Sequence, residues 1–243
     1  MAQRTMTSPS TPEPTQPTGA EARREPRFLL AGFERRALPW LAARLPRWAL
    51  PDHLTALGVL AALGIAAGYM LSNEDRAWLW MVNAWLVVHW FGDSLDGTLA
   101  RVRKIERPKY GYYLDHLTDA FSTVAIGVGL GLSPFMLLST GLAIVIVYLV
   151  MSINVYLEAQ TLGEFQFGYS YLGPTEARVG LFVLNALLAA GVGLEFDVSD
   201  LGLSPLDVFG LGATGVMAAL LAGRAARNLR RLAALEPSAR RRS

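Results

Sequence analysis

The chain has 243 residues, 52% hydrophobic and only 17% charged, where an ordinary soluble domain carries about a quarter charged residues. A net charge of +2 is too small to point to nucleic acid, and the absence of cysteine excludes disulfides and thiolate metal sites. Several stretches nearly free of charge approach the roughly 20 apolar residues a helix needs to cross a bilayer, so an all-α, polytopic membrane protein is the fitting class.

Residues 1–25 are rich in Pro, Ser, Thr and Glu, and no apolar run follows the N-terminal charges. They are expected to form a disordered cytoplasmic tail, not a secretory signal. Residues 26–50 mix Phe, Leu and Trp with Arg at helical spacing. That is the pattern of an interfacial amphipathic helix, with breaks expected near Pro39 and Pro46. A membrane domain over 51–232 follows, with six transmembrane helices expected near 53–72, 77–101, 111–131, 135–158, 176–195 and 206–226. A basic tail over 233–243 ends the chain. Gly64 and Gly68 in the first span form a GxxxG pair, which marks a close helix contact. Trp78, Trp80, Trp85, Trp90, Tyr110, Tyr112 and Tyr113 read as interface anchors.

Lys and Arg accumulate in cytoplasmic loops. With the N-terminus inside, all but one of the 22 lysines and arginines fall on the inner side, the exception being Arg76. The outer loops carry Glu74, Asp75, Glu195, Asp197 and Asp200 instead. Both termini are therefore expected in the cytoplasm.

Four carboxylates interrupt the second and third spans. Such residues are costly in a membrane and mark functional sites by default. Asp93 and Asp96 are three apart, and Asp115 and Asp119 four apart, so each pair shares one helical face. At about 1.5 Å of rise per residue, Asp96 and Asp93 lie roughly 7 and 12 Å up from Arg101. Asp115 and Asp119 lie roughly 6 and 12 Å up from Gly111 on the antiparallel neighbour. The two pairs meet at matched depth near the cytoplasmic face, where hard divalent cations with oxygen ligands would relieve their repulsion. The plainer alternative pairs these acids with Arg101 and nearby polar groups.

The stretch Asp93-Ser-Leu-Asp96-Gly97-Thr-Leu-Ala100-Arg101, followed by Gly111-Tyr-Tyr-Leu-Asp115-His-Leu-Thr-Asp119, resembles the signature of the CDP-alcohol phosphotransferases, D-x-x-D-G-x-x-A-R then G-x-x-x-D-x-x-x-D. All eight defining positions are filled. The spacer from Val102 to Tyr110 has nine residues where the family usually has eight. Pro51-Asp52-His53-Leu54-Thr55 is similar to the family's P-N-x-x-T, with Asp52 in place of Asn; the favoured reading of Thr55 is an N-cap for the first span. Leu172-Gly173-Pro174-Thr175-Glu176 and the Asp115-His116 wording resemble the choline and ethanolamine phosphotransferase branch. Pro174 and Glu176 also suit an ordinary helix start, and His116 a polar packing role.

The resemblance implies transfer of a substituted phosphoryl group from a CDP-alcohol to a hydroxyl acceptor, with release of CMP. It implies two divalent ions, Mg²⁺ or Mn²⁺, held by Asp93, Asp96, Asp115 and Asp119, with Asp119 also acting as general base. Asp93, Asp96, Gly97, Ala100, Arg101 and Gly111 would line the nucleotide site, although small residues such as Gly97 and Ala100 also serve helix packing. Glu176 and Arg178 are candidates for the acceptor or head-group site; Arg178 also reads as a helix-end charge. Partners would be a CDP-alcohol donor, a lipid or alcohol acceptor, membrane lipids and, by family resemblance, a second copy in a homodimer. The lean is to a CDP-aminoalcohol donor with diacylglycerol. The alternative is CDP-diacylglycerol with a polyol or its phosphate, and a reading of another class is a cation or proton-coupled transporter.

The partition of basic residues makes topology testable. Single cysteines introduced at Asp75 and Asp200 should react with an impermeant thiol reagent from outside the cell, while cysteines at Arg103 and Ser238 should stay protected; protection of the first pair would overturn the six-span arrangement.

Overall fold

A computed structural model describes residues 30–162, 173–192 and 202–236. The segments 1–25 and 193–201 and most of the basic tail, on which expectations above rest, lie outside the described residues. Among the described residues the fold is all-α, with seven helices: α1 (Ala31–Arg44), α2 (Pro51–Leu71), α3 (Trp78–Arg103), α4 (Pro108–Gly131), α5 (Leu138–Leu162), α6 (Pro174–Ala189) and α7 (Pro205–Leu235).

Helix starts follow local chemistry. Pro51, Pro108, Pro174 and Pro205 open their helices at the first turn, where the missing N–H costs nothing. Ser204 and Asp207 cap α7 reciprocally: the Asp207 N–H donates to Ser204 Oγ at 3.0 Å and the Ser204 N–H to Asp207 Oδ2 at 2.9 Å. Asp207 also accepts from the Leu137 N–H at 2.8 Å, tying the start of α5 to the start of α7.

Two expectations are corrected here. The break at Pro39 is absent, for α1 runs through it to Arg44. Proline removes one backbone hydrogen bond, but Leu38, Leu41, Ala42 and Leu45 pack on Leu54, Leu95 and Leu99, and that contact carries the helix past the defect. The chain leaves the helix at Leu45, extended as a residue before proline prefers. The last helix runs beyond the expected 226 to Leu235, because its Ala, Leu and Arg run consists of strong helix formers.

Three helices, α2, α5 and α7, are long and apolar enough to cross a membrane. The six expected spans are thus supported by composition in only three. The α6 helix has 16 residues, about 24 Å, short of a hydrocarbon core of about 30 Å. The α3 and α4 helices are long enough at 26 and 24 residues, but Asn83, His89, Asp93 and Asp96 on one and Asp115, His116 and Asp119 on the other make them too polar.

The α2 and α3 helices form the tightest pair. The GxxxG expectation is realised within the chain: a Cβ at Gly68 would stand 2.6 Å from Val82 Cγ2, and Gly64 faces the Trp85 ring. Gly92 lets the backbones touch one residue before Asp93; a Cβ there would lie 2.6 Å from the Leu54 carbonyl and 2.7 Å from the Gly58 nitrogen. At the other end, Ile65, Tyr69, Leu79, Val82, Leu86, Leu130, Phe135 and Leu188 form a buried core. A polar chain crosses between helices there. Tyr69 Oη donates to Asn185 Oδ1 at 3.0 Å, Asn185 Nδ2 to Asn83 Oδ1 at 3.0 Å, and Asn83 Nδ2 to the Phe182 carbonyl at 3.1 Å. Fully partnered polar groups in an apolar interior specify one arrangement, and these fix the rotation of α6 against α2 and α3. Glu158 and Arg224, both buried, pair at 2.8 Å between α5 and α7.

The contact at Gly92 carries a stability prediction. Gly92→Val should force α2 and α3 apart and lower stability by about 1–3 kcal/mol, the usual cost of overpacking; thermal unfolding in detergent should show the drop, and an unchanged Tm would contradict the close approach.

Candidate active site

The α3–α4 hairpin presents the signature. Lys104, in the left-handed conformation at φ 56°, ends α3, and Pro108 opens α4. The spacer with its additional residue is pinned from both sides. Arg103 donates to the carbonyls of Leu45 (3.1 Å), Pro46 (2.9 Å) and Ala49, holding the α1–α2 link. Arg107 reaches both oxygens of Asp52 at 2.5 and 2.7 Å. The two departures from the family pattern, Asp52 and the longer spacer, therefore contact each other.

The helices still align. Asp93 of α3 and Asp115 and Asp119 of α4 each place a carboxylate oxygen within 4.8 Å of the others, and Asp115 is the exposed member. Three hard oxygen donors at this spacing suit a divalent cation and suit no soft metal. Asp96 stands apart from this group. Its Oδ2 accepts from Thr55 Oγ1 at 2.7 Å and its Oδ1 from the Gly97 N–H at 2.5 Å. This corrects the N-cap reading of Thr55, which is the fifth residue of α2 and holds Asp96 instead.

Asp93 is paired with Arg178 of α6, whose Nε also donates to His89 Nδ1 at 3.1 Å. Arg178 is therefore part of the site and not a solvated helix-end charge. Asn185 lies seven residues further along α6, two turns on the same face, so the buried polar chain aims Arg178 at the carboxylates. Glu176 stands beside Arg178 on the same cleft and also has a structural task. Its two oxygens accept from the Gly173 N–H at 3.0 Å and the Leu30 N–H at 2.7 Å, capping α6 and holding the start of α1. Arg101 donates to Thr98 at 3.0 Å. A Cβ at Gly97 would meet only the Arg101 guanidinium, at 3.4 Å, and one at Gly111 would meet nothing within 4 Å, so both leave room on their faces. His116 lies between the rings of Tyr112 and Tyr156, with Nδ1 3.2 Å from Asp115.

A cleft of about 260 Å³ opens beside Asp93 between α1, α3 and α6, with Glu34, Asp93, Arg101, Thr175 and Arg178 on its walls. A larger, shallower hollow along α1, lined by Phe33, Arg36 and Trp40, touches none of the site residues. Sequence reasoning passed over His89 and Glu34, and Trp90, expected as an interface anchor, donates instead to Glu34 at 3.0 Å. His89 had a detectable signal, since it sits four residues before Asp93 on the same helical face. Glu34 had none, because its partner Thr175 is 141 residues away.

Comparison with known proteins bears directly on these helices. The chain is 36% identical over 104 residues to the phosphatidylinositol phosphate synthase of Cutibacterium acnes (strain DSM 16379 / KPA171202), a stretch covering 42% of this chain and 47% of that protein. It is 25% identical over 169 residues to cholinephosphotransferase 1 of Danio rerio, covering 65% of this chain and 42% of the relative. The chain thus spans less than half the length of either relative it matches. Residues 48–225 match the CDP-alcohol phosphatidyltransferase model, a range that contains the whole carboxylate cluster, Thr55 and Arg178. The chain belongs to the CDP-alcohol phosphatidyltransferase family.

Proposed function

We propose that this chain is a membrane-embedded, metal-dependent transferase that moves a substituted phosphoryl group from a CDP-alcohol to a hydroxyl acceptor and releases CMP. The donor is a CDP-aminoalcohol and the acceptor is diacylglycerol or a similar lipid alcohol. The observation that carries the reading is the meeting of Asp93, Asp115 and Asp119 across the signature hairpin. The six expected spans, with both termini cytoplasmic, place that hairpin at the cytoplasmic edge of the bilayer, where a soluble nucleotide and a lipid can both arrive.

The residues have distinct tasks. Asp93, Asp115 and Asp119, with Asp96 beside them, would hold Mg²⁺ or Mn²⁺, two ions in the family's manner. Bound divalent ions supply neutralisation of the diphosphate and of the departing CMP. Gly97 and Gly111 leave space for the nucleotide, and Arg101 offers its guanidinium to a phosphate. Thr55 holds the Asp96 carboxylate in place. Asp119 takes the proton of the acceptor hydroxyl as its oxygen bonds to phosphorus and the bond to CMP breaks. The proton then passes to water, so the products are the phosphodiester, CMP and one proton.

A second reading has a specific observation in its favour. Arg178 and Arg101 share the cleft, which suits a phosphorylated polyol accepting from CDP-diacylglycerol. The two relatives fall one on each side of this choice. A transporter fits less well, because the cluster falls in a family of transferases.

Asp96→Asn and Asp119→Asn should each reduce CMP release at least about 100-fold while the protein stays folded and inserted, and chelation should abolish release until Mg²⁺ or Mn²⁺ is restored. Near-normal turnover in both variants would remove the site assignment. Labelled CDP-ethanolamine or CDP-choline with diacylglycerol should yield labelled phospholipid and CMP; product formed only from CDP-diacylglycerol would reverse the roles of the substrates and leave the family assignment standing.

A further inference from the structure

The cleft beside Asp93 has a wall outside the family match. The α1 helix precedes residue 48, and it supplies Glu34. Glu34 Oε1 accepts two hydrogen bonds, from Thr175 Oγ1 at 2.6 Å and from Trp90 Nε1 at 3.0 Å. Thr175 lies one turn before Arg178 on α6, and Trp90 one turn before Asp93 on α3. The two helices run antiparallel, so these donors stand on opposite sides of the Arg178–Asp93 pair along the helix axes. The carboxylate they share is thereby held level with that pair and beside it.

Charge distinguishes Glu34 from its neighbours. Both hydrogen bonds go to one oxygen, and Oε2 has no partner among the described residues. No Lys or Arg among the described residues pairs with it, since Arg178 is engaged by Asp93 and His89. The cleft thus combines guanidinium groups with the oriented carboxylate of Glu34, while the other glutamate on its wall, Glu176, is engaged by the Gly173 and Leu30 backbone amides. Thr175 is about 5 Å from Arg178 along α6, a span comparable to the two-carbon bridge between phosphate and amine in a small aminoalcohol. Neutral donors from Thr175 and Trp90 fix the anion without cancelling its charge.

We infer that Glu34 selects the donor by its positively charged amine, which pairs with the carboxylate while the diphosphate faces the arginines. This inference rests on the CDP-aminoalcohol reading of the donor. It assigns head-group choice to α1, an element separate from the hairpin that carries the reaction.

The test is equilibrium binding to the full chain in lipid nanodiscs with Mg²⁺, comparing CDP-ethanolamine with CDP-glycerol, whose alcohol is neutral. Wild type should bind CDP-ethanolamine at least about tenfold more tightly, consistent with a charge-assisted hydrogen bond. Glu34→Gln, which keeps an acceptor for Thr175 and Trp90, should bring the two affinities within about twofold. Glu34→Asp should restore part of the preference. An unchanged ratio in Glu34→Gln, or no preference in wild type, overturns the inference. If the Gln variant fails to insert, the wild-type preference must itself shrink as salt rises, and a salt-independent preference overturns it equally. CMP release from CDP-ethanolamine without any amine preference would sink the role of Glu34 alone, whereas no release from any CDP-aminoalcohol would sink the donor reading together with it.

Discussion

Three carboxylates held within 4.8 Å of one another repel, and the surrounding structure is organised to keep them there. Asp115 is exposed to water, but Asp93 and Asp119 are partly buried, so their repulsion is less screened. Arg178 compensates one negative charge directly, and Thr55 and the Gly97 N–H stabilise the fourth acid at a remove. Three oxygen donors at this spacing could together hold a hard divalent cation.

Rigidity for this arrangement comes from contacts away from the carboxylates. The backbone approach at Gly92 sets the height of Asp93 against α2, and through it the position of Thr55 relative to Asp96. The Tyr69–Asn185–Asn83 chain sets the rotation of α6, and through it the direction of Arg178. Both devices are short-range and unforgiving: one forbids a methyl group, the other requires three polar side chains to meet in a mostly apolar interior. Helices α5 and α7 are joined by their own buried links, Asp207 at one end and Glu158–Arg224 towards the other.

The meeting of Asp93 with Asp115 and Asp119 was legible in the sequence because it is built from local repetition. Acids spaced three and four apart on two consecutive helices have to share a face, and a short hairpin has to bring those faces to the same depth. Most helices were legible from apolar runs and from prolines at their starts. What could not be read were pairings between distant positions: Arg178 with Asp93, Thr55 with Asp96, Glu34 with Thr175. No periodicity links such residues, and only the packed structure brings them together. Pro39 misled for a related reason, since local propensity argues for a break and tertiary contact by Leu38, Leu41 and Ala42 overrides it. Glu176 had a second task that its charge did not announce, since its oxygens accept from two backbone amides while it also lines the cleft.

The contact between Arg107 and Asp52 links two features that look independent in the linear sequence. Both residues are well exposed, so the pair adds little to stability and acts chiefly as a register mark for the hairpin. An aspartate before the first signature helix and an additional residue in the spacer then close one joint together, where the family pattern has an asparagine and a shorter spacer. Transplanting either half alone into a relative would leave a mismatched joint. In an alignment, the residue at position 52 and the length of the loop should be found changing together.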